Sequence, residues 1–285
     1  MLAFFVCSSA FAAGTLPAEK AAGKKPSQEM SVKQIFDRAD AHFEKLASLS
    51  FNVERTMSRG LQKQEEKWKV FMQKPESIRI EYLGPPKRIV LSKADLYSEY
   101  IPQAKKALEL KLSDLSTKSQ EEVFSALMPR VAIPGFRVGI TDSMMNNMDF
   151  QVIRKEEKSG RSAFLIQGKD RPKTLSTEGL GVQTQGNMSI WVDQERFTLL
   201  RVEVFDGKQF ISSIENFGFQ DLGHGIWLPN RIEVTNNNPK ALEKATYRIS
   251  NLVPNLRLDP KIFEAIYEEG VKVTRNDKKP TAKTP

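Results

Sequence analysis

The sequence is poor in side chains that carry chemistry. Its 285 residues hold one cysteine, Cys7, and two histidines, His42 and His224. A disulfide framework and a metal site built on cysteine and histidine lack ligands, and the signal cleavage expected below would remove the one thiol. His224 sits in the tight turn Gly223-His224-Gly225, and no G-x-S-x-G elbow accompanies it to supply a nucleophile. EF-hand, P-loop and Rossmann glycine patterns are missing as well. No apolar run is long enough to cross a bilayer as a helix. The formal net charge of +8 suits an anionic partner, but there is no zinc knuckle, RNP-type aromatic motif or long Arg-rich helix. Nucleic acid is therefore not expected, nor is a metal or cofactor. These gaps argue against an enzyme and toward a binding or carrier protein.

What is present starts with the N-terminus. MLAFFVCSSAFAAG is apolar and ends in small residues, and Ala10-Phe11-Ala12 fits the A-x-A cleavage pattern of a secretory signal over 1–12. A basic n-region is lacking, so the true start can lie upstream. Cleavage after Ala12 leaves a chain without cysteine; lipid attachment at Cys7 is the alternative, with Val6 standing where bacterial lipoprotein signals share Gly, Ala or Ser. Residues 13–30 are rich in Ala, Lys, Pro, Gly and Ser and read as a flexible leader. Ser31 and Gln34 then form a capping box for a helix whose apolar face is Ile35, Phe36, Ala39, Phe43 and Leu46. Its end is expected near Ala47.

Strands dominate from there. Phe51 and Val53 alternate in 49–57, and Trp68, Val70 and Met72 alternate in 65–73. In FMQKPESIRIEYLGPPKRIVL, residues 71–91, Ile78, Ile80 and Tyr82 alternate with Arg79 and Glu81, so this strand has one apolar and one charged face. Leu96–Ile101 and Ala107–Leu112 read as a hairpin, with Leu108 and Leu110 on one face. The connections are too short for crossover helices, so the strands are antiparallel. A second capped helix is expected to begin at Ser119 and stop before Pro129, followed by an irregular stretch with Met144, Met145 and Met148. Strands resume at Asp149, a loop is expected over 168–187, and Asp206-Gly207 marks a hairpin turn. The expected total is about ten or eleven strands with two main helices in one domain over 31–270, then a charged, disordered tail over 271–285.

The order of these features resembles the LolA-like family of periplasmic lipoprotein carriers. The carrying residues are Lys74-Pro75, the I-R-I-E-Y strand, the proline break, Ile89-Val90-Leu91-Ser92, Tyr100-Ile101-Pro102, Gly225-Ile226-Trp227-Leu228-Pro229, and Asp259-Pro260 with Phe263. The resemblance implies an unclosed antiparallel half-barrel, mainly β with α, whose helices cover the concave face. It implies a periplasmic monomer that shields the acyl chains of a lipoprotein or other lipid. Such a carrier takes its cargo from an inner-membrane donor and delivers it to an outer-membrane acceptor. It also admits a sensing module of the same fold that controls a membrane-anchored anti-sigma factor. The implied cavity wall is Trp68, Val70, Met72, Ile78, Ile80, Tyr82, Leu108 and Leu110, with Ile78 and Ile80 at the two inward positions of the signature strand. Lys74 stands where the family has an arginine latch at the mouth, and lysine lacks the bidentate fork. Met144, Met145 and Met148 would suit an adaptable lid.

Overall fold

A computed structural model of the protein describes residues 30–74, 77–115, 148–171, 186–238 and 241–275. Ser31–Pro285 group as one compact unit. The second helix expected after Ser119, Met144, Met145, the signal and the leader lie outside the described residues. The helix α1, Val32–Glu44, starts at the capping box: Gln34 N–H donates to Ser31 Oγ (3.2 Å) and Ser31 N–H to Gln34 Oε1 (2.9 Å). It ends three residues earlier than Ala47.

The rest is one sheet of fourteen strands among the described residues. The first six are β1 Ser48–Arg59, β2 Gln62–Gln73, β3 Ser77–Tyr82, β4 Arg88–Lys93, β5 Leu96–Ile101 and β6 Lys106–Lys111. The next seven are β7 Met148–Lys158, β8 Arg161–Asp170, β9 Gly186–Asp193, β10 Leu199–Asp206, β11 Gln209–Asp221, β12 Trp227–Asn238 and β13 Ala241–Pro254. The last is β14, Lys272–Arg275. β1 to β6 form one antiparallel meander and β7 to β13 another; pairing of β1 with β13 joins them. β14 lies parallel to β6, beginning at Lys272 beside Lys106. β14 and β7 are the two ends of the sheet, so it does not close. Register shifts in β1/β13, β10/β11, β9/β10 and β7/β8 are bulges that bend the strands.

The strand count exceeds ten or eleven. One reason is β14, which occupies 272–275 within the stretch expected to be a charged tail. Its composition is polar, and only the free edge of β6 makes it a strand. β8 and β9 likewise extend into the expected 168–187 loop, to Asp170 and from Gly186.

Register reveals which side chains share a face. Met57, Ala245, Val234, Ile214, Val202, Ile190, Ile166 and Val152 are successive partners across eight strands, so they form one apolar row. α1 packs on this face at the β7 end. Phe36 meets Phe150 of β7 edge-on at 5.7 Å, and Ile35 is fully buried. Gly168 makes room for that contact: a Cβ there would lie 2.5 Å from the Phe150 ring. The opposite face is covered over β3 to β6 by the C-terminal segment. Leu258 and Phe263 bury against Leu91, and Tyr267 bonds Ser98 Oγ (2.7 Å) and Glu109 Oε1 (2.9 Å).

Candidate functional site

The eight residues expected to wall a cavity all fall on the face that α1 covers farther along. Met57 and Val53 are two apart twice over on β1, so they share its face, and Val53 pairs with Trp68. From there Trp68 pairs with Tyr82, Val70 with Ile80 and Met72 with Ile78. Leu108 and Leu110 join through β5, opposite Glu99 and Tyr97. Alternation in β2, β3 and β6 puts every second side chain here, which is why the pattern was readable without coordinates.

Burial splits the eight. Trp68, Val70 and Ile80 are buried within a cluster that includes Phe51, Val53, Val90, Ile232 and Ile249. Met72, Ile78, Tyr82, Leu108 and Leu110 are only partly buried and pack against that cluster. The first three hold the sheet together; the other five present an apolar surface. Leu46, Leu112, Ile226 and Leu228 belong to the same cluster near the end where β2 and β6 finish, so that end is packed.

The other end carries charge in matched pairs. Arg55 bonds Glu66 at 2.7 Å and Arg88 bonds Glu99 at 3.2 Å, while Tyr97 O–H donates to Glu99. Arg88 lies over the Tyr82 ring at 4.1 Å, and Arg55 is 5.9 Å from the Trp68 ring. Tyr82 and Tyr247 both neighbour Trp68, at 5.9 and 6.3 Å. The Trp68 indole N–H is buried with no hydrogen-bond partner among the described residues. The margin of the apolar face is thus aromatic, with its charges neutralised side by side.

Lys74 closes onto α1. Its ammonium donates to the Glu44 backbone carbonyl (3.1 Å) and to Glu44 Oε2 (2.9 Å), and its own N–H donates to the Ala47 carbonyl. The carbonyl belongs to the last turn of the helix, which has no partner of its own within it and carries negative partial charge. Lys74 therefore meets the helix end at both the carbonyl and the carboxylate of Glu44, as a point charge rather than a fork. Nearby, Lys45 donates to the His224 carbonyl at 3.2 Å, and His224 holds a left-handed turn conformation at φ 55°. Met148 opens β7 and is buried, pairing with Asp170, so it belongs to the sheet rather than to a lid loop. Among the described residues, no group of three or more His, Cys, Asp or Glu side chains could hold a metal ion.

The sequence missed the outer-face cover. Residues 255–275 carry apolar side chains, but Leu258, Phe263 and Tyr267 find their partners only through the fold.

No protein-family model and no curated protein matches the sequence. Solved structures do match. A LolA superfamily protein from Nitrosomonas europaea aligns over 83% of this chain and 98% of its own, at 16% identity and a TM-score of 0.50. The chain has the fold of the LolA superfamily. A domain assigned to outer-membrane lipoprotein sorting from Vibrio parahaemolyticus covers 81% of this chain and 95% of its own, at 14% identity and a TM-score of 0.53. A DUF1329 family protein from Desulfovibrio piger gives 82% and 97%, with 15% identity and a TM-score of 0.53. The LolA-like half-barrel expected from motif order is therefore the fold observed, and at these identities the likeness is one of fold.

Proposed function

We propose that the protein is a periplasmic carrier that shields acyl chains of a lipid or lipoprotein against its inner apolar face and hands them on toward the outer membrane. The observation that carries this is the row of half-buried Met72, Ile78, Tyr82, Leu108 and Leu110 on an unclosed sheet. A packed core would bury them as it buries Ile80 and Val70. An acyl chain laid on them gains roughly 0.8 kcal/mol for each CH₂ removed from water. Unbranched Met72 adapts to chains of different shape. The role expected here is binding and release, with Lys74 and α1 positioned to respond at the packed end. No helix among the described residues is long and apolar enough to cross a membrane.

The test is organic extraction of the purified protein followed by mass spectrometry, together with titration by a fluorescent fatty acid. Recovered acyl lipid and saturable uptake support the carrier. A protein that emerges dry and takes up no fatty acid overturns it. A pull-down returning only a membrane-anchored regulator would replace transport by sensing.

A further inference from the structure

We propose that the rim formed by the β1–β2 and β10–β11 hairpins and the adjoining ends of β12 and β13 is a docking surface for an anionic lipid bilayer. Leu61, in the β1–β2 turn, is fully exposed, Leu242 at the start of β13 is 48% exposed and Ile211 near the start of β11 is 36% exposed. Register brings them together. Arg59 pairs with Glu243, so Leu61, just past Arg59 in the turn, and Leu242, next to Glu243 on β13, lie beside that pair. Leu242 pairs with Asn237, whose amide donates to the Phe210 carbonyl beside Ile211. With neighbouring strands about 4.8 Å apart, the three side chains spread over roughly 15–20 Å of one rim. Single exposed apolar side chains are ordinary; three close together on one rim mark an interaction surface.

Charge selects the partner. Lys63, Lys208 and Lys244 lie on the same hairpins, Lys87 and Lys105 on the other loops at this end of the sheet, and Lys106 opens β6 there. Some of this charge is neutralised on the rim itself, Glu243 facing Arg59 at 3.3 Å and Glu65 facing Lys63 at 2.7 Å, and Asp206 closes β10 two residues before Lys208; Lys87, Lys105, Lys106, Lys208 and Lys244 outnumber the acid that is left. The chain as a whole carries a net charge of +8. Apolar tips surrounded by flexible lysines match a bilayer with anionic headgroups: the leucines enter the acyl boundary while the ammonium groups stay with the phosphates. This surface faces outward, apart from the inner apolar face, so it stands independently of the cargo.

The experiment uses the chain from Ser31, the compact unit, so that the apolar N-terminal segment contributes nothing. Co-sedimentation is measured with phosphatidylcholine vesicles and with vesicles containing about one-third phosphatidylglycerol. Binding to the anionic vesicles is expected to be at least about tenfold tighter and to weaken with salt. The double substitution Leu61→Asp, Leu242→Asp should lower it at least about tenfold while the urea midpoint and fatty-acid uptake stay unchanged. Undiminished binding by the double variant, or no wild-type binding to either vesicle, overturns the proposal. Loss of fatty-acid uptake with vesicle binding intact would count against the carrier reading alone.

Discussion

Two isoleucines two residues apart on β3 should fail in different ways. Ile80 is fully buried between Val70 and Val90, themselves buried, whereas Ile78 is partly exposed between Met72 and Ser92. Truncating either to alanine removes three carbons, worth about 2.4 kcal/mol of transfer free energy when burial is complete. At Ile80 the rigid surroundings add a cavity, so Ile80→Ala should lose about 3–4 kcal/mol. At Ile78 part of the side chain already meets solvent, so Ile78→Ala should lose only about 1 kcal/mol. Urea unfolding with an unchanged slope measures both. The more telling variant is Ile78→Glu. A carboxylate here can still reach water, so the fold should survive, with a penalty of about 1–2 kcal/mol. Laid against an acyl chain, the same carboxylate should weaken fatty-acid binding at least about tenfold. Equal loss of stability at positions 78 and 80 would make the whole face plain core. Undiminished uptake by Ile78→Glu would refute the assignment of this surface to lipid.

Lys74→Met should cost less than about 1 kcal/mol, because its pair with Glu44 is exposed; the expected effect is faster amide exchange in the last turn of α1. Burial holds the Tyr267 phenol above its ordinary value of 10.0, with its bonds to Ser98 and Glu109 acting against each other. Its contribution is complete below the unfolded value and is lost as pH rises through the higher folded one. Tyr267→Phe should therefore cost about 1 kcal/mol at neutral pH and flatten the fall of Tm in alkali; parallel profiles would contradict this. Glu156 is held below its ordinary 4.5 by the Trp191 indole N–H, then by Arg154. That stabilisation is present above the unfolded value and lost as pH falls through the lower folded one. Wild type should lose Tm more steeply than Glu156→Gln on acidification below about pH 4.5.

Much of the inner face was legible because β alternation is a local property. Trp68, Val70 and Met72 must share a face with Phe51 and Val53 or sit opposite them, and a hairpin closed near Gly60 decides the register. The capping box was readable for the same reason, since Ser31 and Gln34 find each other within one turn. β14 was not: Lys-Val-Thr-Arg has no pattern of its own, and a long-range edge makes it a strand. Nor could composition distinguish Ile80 from Ile78, which are the same residue in the same alternation. Lys74 was singled out by its place before a proline, but its partner, the end of α1, is thirty residues away.

The amino-acid sequence alone determined the antiparallel, strand-rich chain and its two-faced strands, because these depend on period and turn residues. Tertiary structure decided what sequence spacing cannot carry. It joined two meanders through β1 and β13, left the sheet unclosed, and laid the C-terminal segment over the outer face. It also lined up Leu61, Leu242 and Ile211 on one rim, though they lie far apart along the chain. Pairing between distant strands sets which side chains become neighbours, and that register exists only once the chain has folded.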